Sequence, residues 1–300
     1  MQAMLLAAGL GTRVQPYSKL LPKPLFPIID KPLLRILIEM LKLARFTKIV
    51  VNVYHLGEQI EEELAGVEGV IVVREDKVLG TGGGLRNALP YFDDEPILVM
   101  NGDILHTMNP AEIYIHHVNA KHQVTLVLHD YPRFNKVTVR QDRILSFREK
   151  VHLAGTRSLA FTGIHVIEPA VLEKIPTNTF HNIIDLYEDM TVYGALGAMV
   201  MKNRYWRDIG TPEDYLQVHR ELLTGKIIGN RWGLEHGPLY VSRWARMEPG
   251  VSLHDWCSVG DGAVIGNGAV LKRCVVWPNT EVPKRLDAEN EIIVPNVNSN

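Results

Sequence analysis

A doubly wound, mostly parallel α/β sheet followed by a short left-handed parallel β-helix is the fold this 300-residue sequence predicts. Apolar runs alternate with helical patterns from Ala3 to about Asp130, and apolar residues recur every six positions from Leu253 onward. The composition, 46% hydrophobic and 22% charged, is that of a chain able to bury a sizeable core.

The alternation comes first. AMLLAA, KPLLRILIEMLKLARF, TKIVVNVY, GEQIEEEL, VIVVRE, GGLRNALPYF, PILVMNGD, PAEIYIHHVNAKH and VTLVLHD follow one another as strand, helix, strand. Such order builds right-handed crossovers and a sheet covered on both faces. Ligands in such sheets sit beyond the carboxyl ends of the strands. Residues 136–167 change to short β runs, KVTVRQ, RILSFREK and LAFTGIHVI, expected to form a second lobe. A helix near Asn182–Met190 and another from Thr211-Pro212, with Thr211 as N-cap, complete a main domain over residues 1–225. A linker over 226–240 and a tail over 241–300 are expected to follow. In the tail, Leu253, Val259, Ile265, Leu271 and Trp277 mark the hexads, enough for about two coils of a β-helix. So short a solenoid needs a cap or a partner subunit, so a homo-oligomer through the tail is expected. Its removal is expected to change assembly or stability more than chemistry.

The net charge of −2 supplies no basic field for nucleic acid or an anionic membrane, so neither is expected as a partner. Cys257 and Cys274 are the only cysteines, too few for a disulfide framework, and a cytoplasmic setting fits. Met1–Ala8 reads as a buried first strand, not a leader.

Chemistry concentrates in AAGLGTRVQPYSKLLPKPLFPI, directly after the first strand. Ala8, Gly9 and Gly11 let backbone N–H groups approach an anion, and Thr12 and Arg13 add a hydroxyl and a guanidinium fork suited to phosphate. Prolines 22, 24 and 27 stiffen the chain around Lys23. The loop matches neither the dinucleotide fingerprint nor a Walker loop.

G-x-G-T-R-x-x-P followed by P-K-P-L-x-P resembles the sugar-1-phosphate nucleotidylyltransferase (NDP-sugar pyrophosphorylase) family. That resemblance implies a Rossmann-like catalytic domain, a nucleoside triphosphate and a sugar 1-phosphate as substrates, and Mg²⁺ as cofactor. It extends in order along the chain to about residue 215. VLGTGGGLRNA is similar to the segment around the nucleobase, implying roles for Gly80, Thr81, Gly82 and Gly83. VMNGDIL and WRDIGTPEDYL place Asp103 and Asp208 where the family has its metal carboxylates. FREK implies sugar-phosphate contacts for Glu149 and Lys150, and FTGIHV for Thr162 and Gly163. Arg13 and Lys23 take the catalytic cationic roles. Val151 departs from the pattern, standing where the family has proline after Glu-Lys, and Gly82-Gly83-Gly84 replaces a commoner alanine-containing stretch.

The chemistry agrees. A sugar phosphate attacking an α-phosphorus brings two polyanions together, so neutralising charge matters more than covalent catalysis. The acceptor is already ionised near neutral pH, so neither a general base nor a covalent intermediate is expected. A short β-helical tail is similar to that of mannose-1-phosphate guanylyltransferases, which favours GTP and mannose 1-phosphate. T-G-G-G resembles N-acetylmuramate-1-phosphate uridylyltransferases, so UTP with N-acetylmuramate or glucose 1-phosphate is the alternative. A catalytically silent nucleotide-sensing or assembly subunit is the reading from another class, disfavoured because Arg13, Lys23, Asp103 and Asp208 are all present.

Overall fold

The structure, a computed structural model, describes residues 1–149, 151, 153–227, 232, 234 and 237–295. It divides into two compact units, Met1–Leu10 with Leu37–Trp206, and Gly11–Ile36 with Arg207–Asn300. The division therefore crosses the linear boundary near Gly225.

The first unit is built on a nine-stranded sheet: β1 Gln2–Leu6, β2 Lys48–Val53, β3 Val70–Arg74, β4 Ile97–Asn101, β5 Val124–His129, β6 Val137–Arg140, β7 Arg143–Ser146, β8 Thr156–Ile167 and β9 Leu196–Val200. Their spatial order is β3-β2-β1-β4-β8-β5-β9-β7-β6. The half built from β3, β2, β1 and β4 is parallel throughout, as the alternating pattern predicts. The sheet as a whole is mixed but mostly parallel in direction, as expected, with only β7 and β8 running against the other strands. Strand β8 runs antiparallel to β4 and β5, and β7 runs antiparallel to β6 and β9. The physical reason is that residues 136–167 form no separate layer. Their β runs enter the same sheet, and β8, twelve residues long, pairs with both β5 and β6.

The helices are α1 Leu33–Leu43, α2 Gly57–Leu64, α3 Gly80–Ala88, α4 Pro110–Ala120, α5 Ile183–Thr191 and α6 Pro212–Leu223. Leu33, Leu34, Leu37 and Leu41 of α1 are completely buried, matching their helical spacing. Leu85 and Ala88 of α3 share one core with Ile183, Tyr187 and Met190 of α5 and with Met4, Val99, Leu126 and Leu128 of the sheet. Helices α4 and α5 begin at Asn109 and Asn182, whose side chains accept the N–H two residues on. Thr211 caps α6 in the same way, accepting from Asp214.

In the second unit the tail stacks parallel strands. Leu239–Val241, Ser252–Val259, Val270–Val276 and Ile292–Ile293 form successive rungs, with Leu239 facing Cys257, Cys257 facing Cys274 and Val275 facing Ile292. Strands before and after the recognisable hexads join this ladder. Val259, Ile265 and Leu271 are fully buried, as their spacing requires. Part of the expected linker, 228–231 with 233, 235 and 236, lies outside the described residues.

Candidate functional site

Within the second unit the Gly11–Ile36 stretch forms a strap of three 3₁₀ turns, Thr12–Val14, Tyr17–Lys19 and Lys23–Leu25, closed by a hairpin pairing Ile28 with Lys31. Gly11 has φ 62°, and a Cβ there would lie 2.8 Å from the Ser18 Cβ, so the turn needs glycine twice over. Lys23 is buried at 7% exposure, and its Nζ donates to Asp208 Oδ1 at 3.2 Å. Arg13 Nη2 lies 3.6 Å from Asp208 Oδ2, with its own side chain largely exposed. Two cations from the strap thus meet a carboxylate some 185 residues later in the chain. Gly210, which the sequence reading passed over, makes room for them: a Cβ there would lie 2.8 Å from both Arg13 Nη1 and Asp208 Oδ2.

Other residues hold the strap in place. Tyr215 of α6 donates its hydroxyl to the Pro27 carbonyl at 2.5 Å, and Trp277 of the tail donates its indole N–H to that hydroxyl at 3.0 Å. The Phe26 ring lies 4.9 Å from Trp277 and 5.6 Å from Tyr215, at the edge-to-face angles aromatic pairs prefer. His219 Nε2 accepts the Ile29 N–H, while its Nδ1 faces the Tyr215 carbonyl, which fixes the neutral Nδ1–H tautomer. Burial pushes His219 down to about 4. Nothing in the sequence marked Tyr215, His219 or Trp277 as supports, since the groups that tie them to the strap, the Pro27 carbonyl, the Ile29 N–H and the Tyr215 hydroxyl, lie far away along the chain.

The first unit carries the remaining predicted residues. At the end of β1 the Ala7 N–H donates to Asn52 Oδ1, and Asn52 donates to the buried Glu75. Burial raises the Glu75 carboxyl above its ordinary range. Ala8 and Gly9 follow, and no atom lies within 4 Å of where a Gly9 Cβ would stand. Asp103 follows β4 directly after Gly102, whose N–H donates to the Leu6 carbonyl. Gly80, Thr81, Gly82 and Gly83 open α3. The N–H groups of Gly82 and Gly83 both donate to the His181 carbonyl, and a Cβ on Gly83 would lie 2.4 Å from the Thr179 carbonyl. Close backbone packing accounts for glycine at these two positions. A Gly84 Cβ would approach Asn52 and Glu75 to 2.8 Å, which explains the third glycine. The exposed Thr81 accepts the Ile183 N–H.

Thr162 and Gly163 sit at the irregularity of β8, Gly163 with φ 75°. Thr162 is fully buried, donating to the Val127 carbonyl and accepting from Ile164, so it shapes the bulge and offers no surface to a ligand. Glu149 is exposed, with its carbonyl held by the Thr138 hydroxyl at 2.8 Å. Lys150 lies outside the described residues.

The Nucleotidyl transferase family profile matches residues 2–225. The chain belongs to this family. Among relatives, a UTP–glucose-1-phosphate uridylyltransferase of Synechocystis sp. is 32% identical over 92% of this chain and 83% of its own. A mannose-1-phosphate guanylyltransferase of Mycobacterium tuberculosis is 29% identical over 93% and 80%. A Bacillus anthracis structure assigned as a glucose-1-phosphate thymidylyltransferase shares the fold, with a TM-score of 0.65, 22% identity and coverage of 77% of this chain and 98% of that one. Nucleotidyl transferase membership gives the Lys23–Arg13–Asp208 cluster a chemical context that a surface ion pair lacks.

Proposed function

We propose that the protein transfers a nucleoside monophosphate from a nucleoside triphosphate to a sugar 1-phosphate, releasing pyrophosphate, with GTP and mannose 1-phosphate as the pair. The observation that carries this reading is the strap's two cations gathered on the Asp208 carboxylate, one buried and one exposed. Arg13 would bind the β- and γ-phosphates with its guanidinium fork, and the prolines around Lys23 would hold its ammonium against the same anion. Backbone N–H groups from Ala8 to Thr12 would follow the phosphate chain. An acceptor phosphate oxygen forms a bond to the α-phosphorus while the bond to the departing pyrophosphate breaks. Glu149 and Lys150 are the proposed contacts to the acceptor.

Magnesium fits the donors present. Asp208 offers hard carboxylate oxygens beside phosphate-binding cations, and Asp103 is the second proposed ligand. Among the described residues no group of three or more histidine, cysteine or acidic side chains is gathered to hold a metal, so substrate oxygens and water would complete the shell. When bound, the ion would neutralise phosphate charge.

A second reading, UTP with glucose 1-phosphate, is supported by the uridylyltransferase relative. The tail's rungs, offset by 17 or 18 residues, support the left-handed β-helix reading, in which three hexads make a coil. Its first rung leaves Leu239 and Val241 exposed near Trp244, the proposed surface for a second copy of the chain. No helix among the described residues is long and apolar enough to cross a membrane. A cytoplasmic site of action is part of the proposal, supported by the low cysteine content.

The test is a matrix of nucleoside triphosphates against mannose, glucose and N-acetylmuramate 1-phosphates, scored by pyrophosphate formed. GTP with mannose 1-phosphate should dominate. A dominant UTP pair would move the assignment to the second reading, and an inactive matrix would refute the transferase.

A further inference from the structure

Val151 removes the proline that would have stiffened the end of the Phe147–Lys150 segment, so its conformation has to be fixed another way. The structure shows how. Ser146 Oγ accepts the N–H groups of Arg148 at 3.0 Å and Glu149 at 2.9 Å. A hydroxyl has one proton and two lone pairs, so it can serve both amides only if its proton points elsewhere. That proton goes to Glu188 Oε1 at 2.9 Å. Glu188 Oε2 accepts the Phe147 N–H at 2.7 Å, so one carboxylate of α5 orders three consecutive amides, one directly and two through Ser146. Arg148 pairs with Asp185 on the same helix.

The other end of α5 grips the segment predicted to face the nucleobase. Gly82 and Gly83 donate to the His181 carbonyl, His181 donates to the Leu79 carbonyl, and the Ile183 N–H donates to Thr81. Ile183 and Glu188 are five residue steps apart on the helix, a rise of about 7.5 Å. Tyr187 and Met190, buried in the core, seat that helix on the sheet.

We propose that Glu188 is a positioning residue that presents the segment ending at Glu149 to the acceptor sugar phosphate, and that α5 ties this segment to the base-facing one. This rests on the transferase reading. Neither Glu188 nor Ser146 belongs to the motifs that carry the family resemblance, and Glu188 acts here through backbone groups without touching substrate.

The test compares Glu188→Ala, Glu188→Gln and Ser146→Ala with the unaltered protein in the full chain, using the substrate pair that the matrix identifies. Losing the acceptor of a charge-assisted bond to a backbone N–H should raise KM for the sugar 1-phosphate about tenfold. KM for the nucleoside triphosphate should stay within about twofold, since Glu188 holds the acceptor segment only. Glu188→Gln keeps one acceptor oxygen and should recover part of the loss. Ser146→Ala should reproduce the effect, and the double variant should add little to either. Parallel rises in both KM values, or an unchanged sugar KM, would overturn the proposal. Hydrogen exchange at the Phe147, Arg148 and Glu149 amides gives a readout independent of turnover. It should accelerate in Glu188→Ala and less in Glu188→Gln. Unchanged protection would refute the clamp whether or not any substrate pair is turned over, whereas an inactive matrix with accelerated exchange would sink only the transferase reading. If Glu188→Ala fails to fold, Glu188→Gln carries both measurements.

Discussion

Asp208 pairs with a buried lysine and lies beside an exposed arginine, an arrangement that concentrates positive charge where a polyphosphate would need it. Asp208→Asn keeps the size and removes the charge. Pyrophosphate release should fall about 10²- to 10³-fold, the scale of losing one electrostatic contact to a transferring phosphoryl group. The melting temperature should also fall, since the buried Lys23 ammonium loses a carboxylate partner. Turnover is therefore compared where both proteins remain folded, and near-normal turnover would remove Asp208 from the chemistry. His219 shows a different use of an ionisable side chain. Its Nε2 accepts the N–H of Ile29, a β-branched residue held at φ 61°, a conformation that costs roughly 1–3 kcal/mol and persists only where its surroundings impose it. Burial lowers His106 and His219 to about 4 and His165 to about 3, so all three stay neutral in the fold at pH 6. The unfolded chain binds these protons below about pH 6.5, so stability should fall as pH drops from there toward 4, by on the order of 3 kcal/mol per histidine. Thermal melts from pH 7.5 to 4.5 would check this, and a flat profile would contradict it. The sequence singled out Arg13, Lys23 and Asp208 because their motifs have fixed spacing, and the structure brings the three together. Glu75, Glu188 and His219 were not legible, because their partners are backbone amides, a serine hydroxyl or an asparagine far along the chain and leave no pattern.

Helices and strands were legible where period and caps agree. The alternating elements to residue 130 and the cap at Thr211 needed only local rules, and Asn109 and Asn182 were found as caps in the structure. The reversed direction of β7 and β8 did not follow from them. Whether residues 136–167 form a separate lobe or join the sheet depends on pairing between distant segments, and alternation is the same for both. The tail was recognised by its hexads, yet its relation to the strap was not. Trp277, expected only as a hexad residue, meets Phe26 and Tyr17 and completes the hydrogen-bond chain to Pro27. Trp277→Ala should lower stability by about 3–5 kcal/mol and raise KM for the nucleoside triphosphate, because the strap loses a wall. Trp277→Phe keeps the ring contacts and loses one hydrogen bond, a change of about 1 kcal/mol. Melting curves with triphosphate titrations would separate the two, and identical behaviour would deny the tail any hold on the strap. The stability loss agrees with the expectation that the tail serves assembly or stability more than chemistry, and the KM effect would add to it.

At the scale of the whole chain, neither compact unit is a single continuous stretch. The polypeptide passes from one to the other after Leu10, returns after Ile36 and leaves again after Trp206. A fragment ending at Gly225, where the family match stops, would keep Phe26 and Tyr215 but lose the indole packed on them. Two large rings would then face water, and such surface promotes aggregation. A shorter family member that stops after its equivalent of α6 must therefore have smaller or more polar side chains at these two places, or borrow a neighbour to cover them. Swapping the first 225 residues between long and short members should fail unless those two positions travel with the C-terminal extension.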